Sequence, residues 1–143
     1  MSRYVIDAGV AVKWFIPEPD SDKARKLLDR YDQGSDELIA PDLLIPEAAN
    51  VFWKRASRGD ITAQDADDNL SDLLALNVTL TPSSLVVQNA LTLARTHNRT
   101  VYDCLYLALS LDQSCDFITT DERLYNAIRL TFSQIKLLRD CAF

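Results

Sequence analysis

Five short apolar runs alternate with longer segments of helical periodicity along this chain, and this alternation constrains the fold more than any other feature. The runs are rich in β-branched and aromatic residues, whereas the segments between them repeat apolar residues every three or four positions. Helices between strands provide the crossovers that parallel strands need. We predict strands over residues 3–6, 37–41, 78–81, 116–120 and 133–138, and helices over residues 21–33, 42–59, 62–76, 83–97, 100–113 and 121–127.

The predicted architecture is an α/β fold with a mainly parallel central sheet that is covered by helices on both faces. Ligand sites in such sheets lie beyond the carboxyl ends of the strands. Asp7 follows the first predicted strand and Asp121 follows the fourth. The pattern therefore places these two carboxylates at the same edge of the sheet.

Length and composition predict one globular domain over residues 1–143. The chain is long enough to bury a continuous core, and 48% hydrophobic with 25% charged residues is typical of an ordered protein. Cys104, Cys115 and Cys141 form no CxxC pair, which argues against a zinc knuckle and favours a reducing compartment. We find no leader-like start and no apolar stretch of roughly 20 residues, and we expect a cytoplasmic protein without a membrane partner.

The formal net charge of −6 argues against a broad phosphate-binding surface, because nonspecific affinity for nucleic acids comes mainly from Lys and Arg. Contact with a nucleic acid would therefore be local. An acidic surface suits a site that concentrates divalent cations, and it equally suits a face that a basic partner segment covers. Composition alone leaves both uses open.

Four acidic residues, Asp7, Glu47, Asp103 and Asp121, are the candidate catalytic and metal-binding residues. Phosphodiester hydrolysis needs a water activated near neutral pH and compensation for charge on phosphate oxygens, and Mg2+ or Mn2+ can supply both. Carboxylates are natural ligands for these ions. Four carboxylates in one cleft would repel one another, so metal binding gives a physical reason to assemble them. The hypothesis requires the four to converge in space.

Each acid also has a purely structural interpretation. Asp7 can end a strand in an Asx turn, and Glu47 can lie on a solvated helix face. Asp103 lies three residues after Thr100 and can complete a capping box, while Asp121 can cap the short helix that follows it. Capping and metal binding do not exclude each other.

Four motifs surround these acids in a characteristic order. They are Tyr4-Val5-Ile6-Asp7, Pro46-Glu47-Ala48-Ala49-Asn50, Tyr102-Asp103-Cys104-Leu105-Tyr106-Leu107-Ala108-Leu109 and Ile118-Thr119-Thr120-Asp121-Glu122-Arg123-Leu124. Together they resemble the motifs of the PIN-domain nucleases, and the chain resembles a VapC-type toxin. The resemblance covers almost the whole chain, including the stretch Val12-Lys13-Trp14-Phe15.

The resemblance implies a three-layer α/β/α PIN-like fold and a Mg2+-dependent endoribonuclease in which Mn2+ can substitute. It further implies the toxin of a type II toxin–antitoxin pair, which cleaves RNA phosphodiester bonds with metal-activated water. Such a toxin pairs with a second copy as a homodimer and is inhibited by a cognate antitoxin.

The resemblance also carries over residue by residue. Asp7, Glu47, Asp103 and Asp121 match the acidic quartet of the family, and Thr119 matches the threonine two positions before the last acid. We expect the three aspartates to coordinate metal directly or through water, and Glu47 either to coordinate it or to orient the attacking water. No Ser, His or Cys nucleophile is needed.

Two further positions bear on this site. Asn50 matches a recurrent polar position and shares a helix face with Glu47, so it can orient that carboxylate, contact a water near the metal, or bond to another helix. Gly9 departs from the family, since many relatives have Ser two residues after the first acid. We expect activity to survive this change, which leaves open whether the rate is reduced or the metal preference altered.

Other residues near the motifs have two interpretations each. Lys13, Lys54 and Arg123 are candidates for contacting the RNA backbone, with surface solvation as the alternative. Aromatic residues can stack on bases or receive a partner helix, but at helical spacing they also fill cores and dimer interfaces. The aromatic residues concerned are Trp14, Phe15, Phe52 and Trp53.

Two other functions compete with a ribonuclease. A Mg2+-dependent phosphohydrolase on a similar sheet would normally carry a second Asp two residues after its nucleophile, where this chain has Gly9. A noncatalytic PIN-fold interaction module would use the acidic cleft only to bind a basic partner, which the presence of all four acids disfavours.

Overall fold

Five strands form one parallel sheet at the centre of the protein, whose computed structural model describes residues 1–143. The strand order is β3-β2-β1-β4-β5, and each neighbouring pair is parallel. The strands are β1 (Ser2–Ile6), β2 (Asp36–Pro41), β3 (Thr79–Thr81), β4 (Asp116–Thr119) and β5 (Ile135–Leu137).

Seven helices connect the strands and cover the sheet. Since crossovers between parallel strands are right-handed, the connections from β1 to β3 cover one face and those from β3 to β5 cover the other. The predicted three-layer α/β/α fold with a mainly parallel sheet is confirmed. The helices are α1 (Ala8–Val12), α2 (Ser21–Asp32), α3 (Leu44–Ser57), α4 (Ala63–Ala75), α5 (Val87–His97), α6 (Val101–Gln113) and α7 (Glu122–Ile128).

The core lies around the two central strands and α6. Val5 and Ile6 of β1 and Phe117 and Ile118 of β4 are fully or almost fully buried, and so is every residue of α6 from Cys104 to Ser110. A helix that is buried over two turns fixes the position of its ends, and the first turn of α6 carries Asp103. No helix is long and apolar enough to cross a membrane.

The short helix α1 is absent from the sequence-based prediction. Its residues, Ala8–Val12, combine a glycine with two valines, and both residue types disfavour helix. The helix nevertheless forms because Asp7 caps it, accepting a hydrogen bond from the backbone N–H of Val10 at 3.1 Å, and because all of its side chains are buried. Capping and tertiary packing outweigh the intrinsic propensity.

The sheet reverses its direction of growth at β1. From β1 the chain adds β2 and β3 on one side, and then crosses over to add β4 and β5 on the other side. Neighbouring connections therefore leave β1 and β4 towards opposite faces, which opens a crevice at the carboxyl ends of these strands. Open α/β sheets bind their ligands in such crevices.

Candidate active site

The four acidic candidates line one cleft of about 230 Å³ at the crevice between β1 and β4. Asp7 directly follows β1, and Asp121 lies two residues beyond the end of β4. Glu47 and Asp103 lie in the first turns of α3 and α6. Four separate segments of the chain thus bring a carboxylate to the same place.

Asp7 lies deepest in this group and is held by two hydrogen bonds. Its Oδ1 accepts the backbone N–H of Val10 at 3.1 Å, and its Oδ2 accepts the hydroxyl of Thr119 at 2.5 Å. Each carboxylate oxygen has a second lone pair. The two bonds therefore fix the orientation of Asp7 and leave it able to bind a cation.

Thr119 connects two of the acids. It is the last residue of β4 and is fully buried. Its hydroxyl donates to Asp7 Oδ2 and accepts the backbone N–H of Asp121 at 3.0 Å. One side chain thereby sets the position of the segments that carry Asp7 and Asp121, which is a positioning role.

Tyr106 holds the third acid from the opposite helix layer. Its hydroxyl donates to Oε1 of Glu47 at 2.5 Å, and its ring stacks on Phe117 of β4 with centroids 5.8 Å apart. Burial, followed by the neighbouring Glu47, raises the pKa of Tyr106 well above its usual range. The hydroxyl therefore remains protonated and acts as a donor to Glu47.

The capping interpretations are partly realised at the other two positions. The carboxylate of Asp121 accepts the backbone N–H of Leu124 at 3.0 Å and caps α7. At α6 the cap is Thr100, whose hydroxyl accepts the backbone N–H of Asp103 at 3.1 Å, and no capping box is completed. Asp7 and Asp121 thus both cap a helix and line the cleft.

Burial and mutual repulsion make ionisation of the acids costly. The pKa of Asp7 is raised to about 6, mainly by burial and to a smaller extent by the charges of Glu47 and Asp121, against the lowering effect of the Thr119 and Val10 hydrogen bonds. Burial also raises the pKa of Glu47, and the charge of Asp103 adds to this rise. The pKa of Asp103 is raised by burial and then by Asp121. Such shifts are typical of functional sites.

The donor set fits a divalent cation that keeps part of its water shell. No three His, Cys, Asp or Glu side chains form a ready-made metal cage in the chain. Mg2+ is usually held by one or two carboxylates together with several waters, so an open cleft lined by carboxylates provides suitable ligands. Asp7, Asp103 and Asp121 are the residues that would hold the ion, and Glu47 would either hold it as well or orient a water beside it.

Asn50, the other secondary candidate, does not lie in the cleft. It is exposed on α3 and is absent from the cleft lining. Residues three apart share a helix face only approximately, and Glu47 is turned towards Tyr106 by their hydrogen bond. Of the two secondary candidates, only Thr119 contacts the acids.

The candidate RNA-contacting residues also lie outside the cleft lining. Lys13 is buried, forms an ion pair with Glu18 at 3.0 Å and donates to the carbonyl of Pro19 at 2.8 Å. Lys54 and Arg123 are exposed.

Most of the aromatic candidates belong to the core. Trp14 and Phe52 are buried, and Phe15 packs against the ring of Phe52. Trp53 is 62% exposed. Only Trp53 therefore has a surface available to a partner.

Two polar lining residues, Tyr106 and Thr120, were not among the predicted site residues. Tyr106 follows Asp103 by three positions, and this helical spacing signals a shared face. Thr120 lies between the last two predicted site residues, Thr119 and Asp121. In an irregular segment, adjacency does not reveal where a side chain points.

Comparison with known proteins agrees with this geometry. Residues 4–130 match the PIN domain family. The chain is 32% identical over 124 residues to Ribonuclease VapC3 of Pyrobaculum aerophilum, covering 85% of this chain and 92% of that protein. The crystal structure of PAE2754, also from Pyrobaculum aerophilum, superposes with a TM-score of 0.70 at 19% identity, over 96% of this chain and 92% of that one. The last comparison bears on the fold alone.

Proposed function

The chain belongs to the PIN domain family, and on that premise we propose that it is a divalent-metal-dependent endoribonuclease, the toxin of a type II toxin–antitoxin pair. One observation carries the proposal: Asp7, Glu47, Asp103 and Asp121 come from separate segments and line a single cleft. The burial that raises the pKa of three of them opposes their ionisation, and a bound cation would offset that cost. The similarity to a protein named Ribonuclease VapC3 supports RNA as the substrate.

Mg2+ is the proposed ion, and Mn2+ is expected to substitute for it. When bound, such an ion stabilises charge on phosphate oxygens and makes water more acidic. Asp7, Asp103 and Asp121 would hold the ion. The two hydrogen bonds of Thr119 fix the position of Asp7 relative to the backbone of Asp121. The proposed ligands differ in exposure, since Asp7 is partly buried and Asp121 is exposed at the rim of the cleft.

Glu47 is proposed to orient the attacking water. Its Oε1 accepts the Tyr106 hydroxyl, which leaves the other carboxylate oxygen available for a water in the cleft. No Ser, His or Cys side chain lines the cleft. Water, and no protein side chain, is therefore the proposed nucleophile.

Assembly and partners extend the same proposal. We expect residues 1–143 to work as one nuclease domain, to form a homodimer, and to be inhibited in the cytoplasm by a cognate antitoxin. The net charge of −6 would repel RNA at long range. Substrate recognition would then rest on contacts around the cleavage site, as shape-based RNA recognition does.

The test is cleavage of a mixed RNA pool by the purified protein, with EDTA, Mg2+ or Mn2+. Asp7→Asn and Asp103→Asn should abolish metal-dependent cleavage while the variants stay folded, as circular dichroism would report. Asp72→Asn, which changes an exposed carboxylate on α4, is the matched control and should cleave like the wild type. RNA binding without cleavage by the wild type would instead favour a noncatalytic interaction module, and hydrolysis of phosphomonoesters alone would favour a phosphohydrolase.

A further inference from the structure

Gly9 leaves a space beside Asp7 that the side chain of Thr120 fills. A Cβ built on Gly9 would overlap the Thr120 hydroxyl oxygen, and it would lie 3.5 Å from Thr120 Cβ. The φ angle of Gly9 is not in the left-handed region, so its backbone conformation does not require glycine. In the observed rotamer of Thr120, its hydroxyl occupies the space that a side chain at position 9 would enter.

The Thr120 hydroxyl lies close to the carboxylate that anchors the proposed metal site. The Cβ position on Gly9 that overlaps this hydroxyl is only 3.3 Å from Asp7 Oδ1. Thr120 lines the cleft together with all four acids. It comes from the β4–α7 connection, whereas Gly9 lies in α1, so two separate segments compete for one space next to Asp7.

Thr120 differs from the threonine that precedes it in how its hydroxyl is used. The Thr119 hydroxyl already has two protein partners, since it donates to Asp7 and accepts the backbone N–H of Asp121. The Thr120 hydroxyl forms no hydrogen bond with the protein, and it is only partly buried. A hydroxyl that faces a polar cleft without a protein partner is available to a water or ligand there.

We propose that Thr120 is a positioning residue of the metal site, whose hydroxyl hydrogen-bonds to the water shell of the cation at Asp7. The inference rests on the proposed function. The role of Thr120 explains why glycine is tolerated at position 9. Thr120 supplies the hydroxyl that a serine at position 9 would otherwise bring to this space. The two positions form a compensating pair, because a side chain at position 9 and the Thr120 hydroxyl in its observed orientation cannot occupy this space together.

Calorimetric binding of Mn2+ to the folded apo protein tests this without relying on catalysis. Thr120→Val keeps the side-chain volume and removes the hydroxyl, so affinity should fall about three- to tenfold, which corresponds to one lost hydrogen bond. Thr120→Ser keeps the hydroxyl and should bind like the wild type. Thr131→Ala, which changes an exposed threonine beyond α7, is the control and should leave affinity unchanged.

A double-mutant cycle tests the shared space. Gly9→Ser alone should lower the melting temperature of the metal-free protein, because the added side chain meets the Thr120 hydroxyl. In a protein that already carries Thr120→Ala, Gly9→Ser should lower the melting temperature much less. The hydroxyl that Gly9→Ser introduces should also restore most of the Mn2+ affinity that Thr120→Ala removes. Contacting residues deviate from additivity in this way, whereas independent ones do not.

The outcomes separate the two proposals. If the wild type binds Mn2+ and cleaves RNA but Thr120→Val binds Mn2+ equally well, the positioning role is wrong and the ribonuclease proposal stands. Additive effects of the changes at positions 9 and 120 on melting temperature would overturn the compensating pair. A wild type that neither binds Mn2+ nor cleaves RNA would overturn both proposals.

Discussion

Replacing Asp7 with Asn should stabilise the metal-free protein at neutral pH, although it removes a proposed metal ligand. Burial raises the pKa of Asp7 to about 6 from its ordinary value of 3.8. The folded state therefore holds this proton more tightly than the unfolded state. As pH rises from about 4 to about 6, the free energy of unfolding falls, and above pH 6 the penalty is constant.

The size of the effect follows from the shift. A rise of about two pKa units corresponds to roughly 3 kcal/mol of destabilisation at about pH 7.5. Asn has nearly the same shape but is a poorer acceptor for the Thr119 hydroxyl and the Val10 N–H, and we allow about 1 kcal/mol for this loss. The net gain is about 2 kcal/mol, or a rise in melting temperature of roughly 5–8 °C.

Thermal unfolding in EDTA at pH 7.5 and pH 4.5 measures this gain. At pH 4.5 Asp7 is largely protonated in the folded protein. The destabilisation that comes from ionising Asp7 should therefore drop to about one-third of its value at pH 7.5. The gain should then nearly vanish. The control Asp72→Asn removes an exposed carboxylate and should change the melting temperature little at either pH.

Saturating Mn2+ should make the wild type more stable than Asp7→Asn, which reverses their order in the absence of metal. A ligand present at about 100 times its Kd stabilises the folded state by roughly 2.7 kcal/mol, and only the wild type should gain this. If Asp7→Asn were less stable than the wild type without metal at pH 7.5, or showed the same difference at both pH values, the electrostatic account of the cleft would be refuted.

Three further predictions concern the groups around the acids. Tyr106→Phe removes the hydrogen-bond donor to Glu47. Steady-state kinetics should show that RNA cleavage slows about tenfold, and calorimetry should show that Mn2+ affinity stays within about twofold of the wild type. Equal losses of cleavage rate and Mn2+ affinity would contradict the water-orienting role of Glu47. Thr119→Val should lower the free energy of unfolding, measured with denaturant, by about 1–3 kcal/mol, because it removes a buried hydroxyl that bonds both Asp7 and the Asp121 backbone. An unchanged denaturant midpoint would contradict that role. Mn2+ affinity should fall about tenfold per pH unit below about pH 6, because the ion must displace the Asp7 proton. Calorimetry at pH 5, 6 and 7 measures this dependence, and a Mn2+ affinity that does not change with pH would contradict it.

Local patterns were sufficient to predict the sheet and most of the helices. The five strands match the predicted runs, with ends that differ by a few residues at most, because each run is largely apolar and bounded by polar or turn residues. The helix from Thr62 was predicted from its capping box, and the structure forms both reciprocal bonds with Asp65. Such signals lie within a few residues of one another.

The element that local patterns missed depends on distant partners. The segment Ala8–Val12 becomes helical because it is capped by Asp7 and buried against α3 and β4. Ala8 and Ala11 favour helix, but Gly9 and the two valines offset them. Tertiary burial decided its conformation, and sequence periodicity carries no record of it.

The convergence of the four candidate acids in one cleft was predicted in part. The acidic quartet was identified by resemblance, and the sheet order explains how Asp7 and Asp121 meet, since β1 and β4 are neighbours although they lie far apart in the sequence. The hydrogen bond from Tyr106 to Glu47 joins α6 to α3, and the contact of Thr120 with Gly9 joins the β4–α7 connection to α1. These pairings depend on the final packing and have no signature in local sequence.

Anomalous scattering from crystals soaked in Mn2+ would show whether the cation binds in this cleft. We expect a strong peak in the cleft, within roughly 2.3 Å of a carboxylate oxygen of Asp7, that also contacts Asp103 or Asp121 directly or through water. The peak should disappear in Asp7→Asn crystals and persist in Asp72→Asn crystals. A peak elsewhere on the protein, in crystals of a preparation that cleaves RNA, would contradict the assignment of this cleft as the active site.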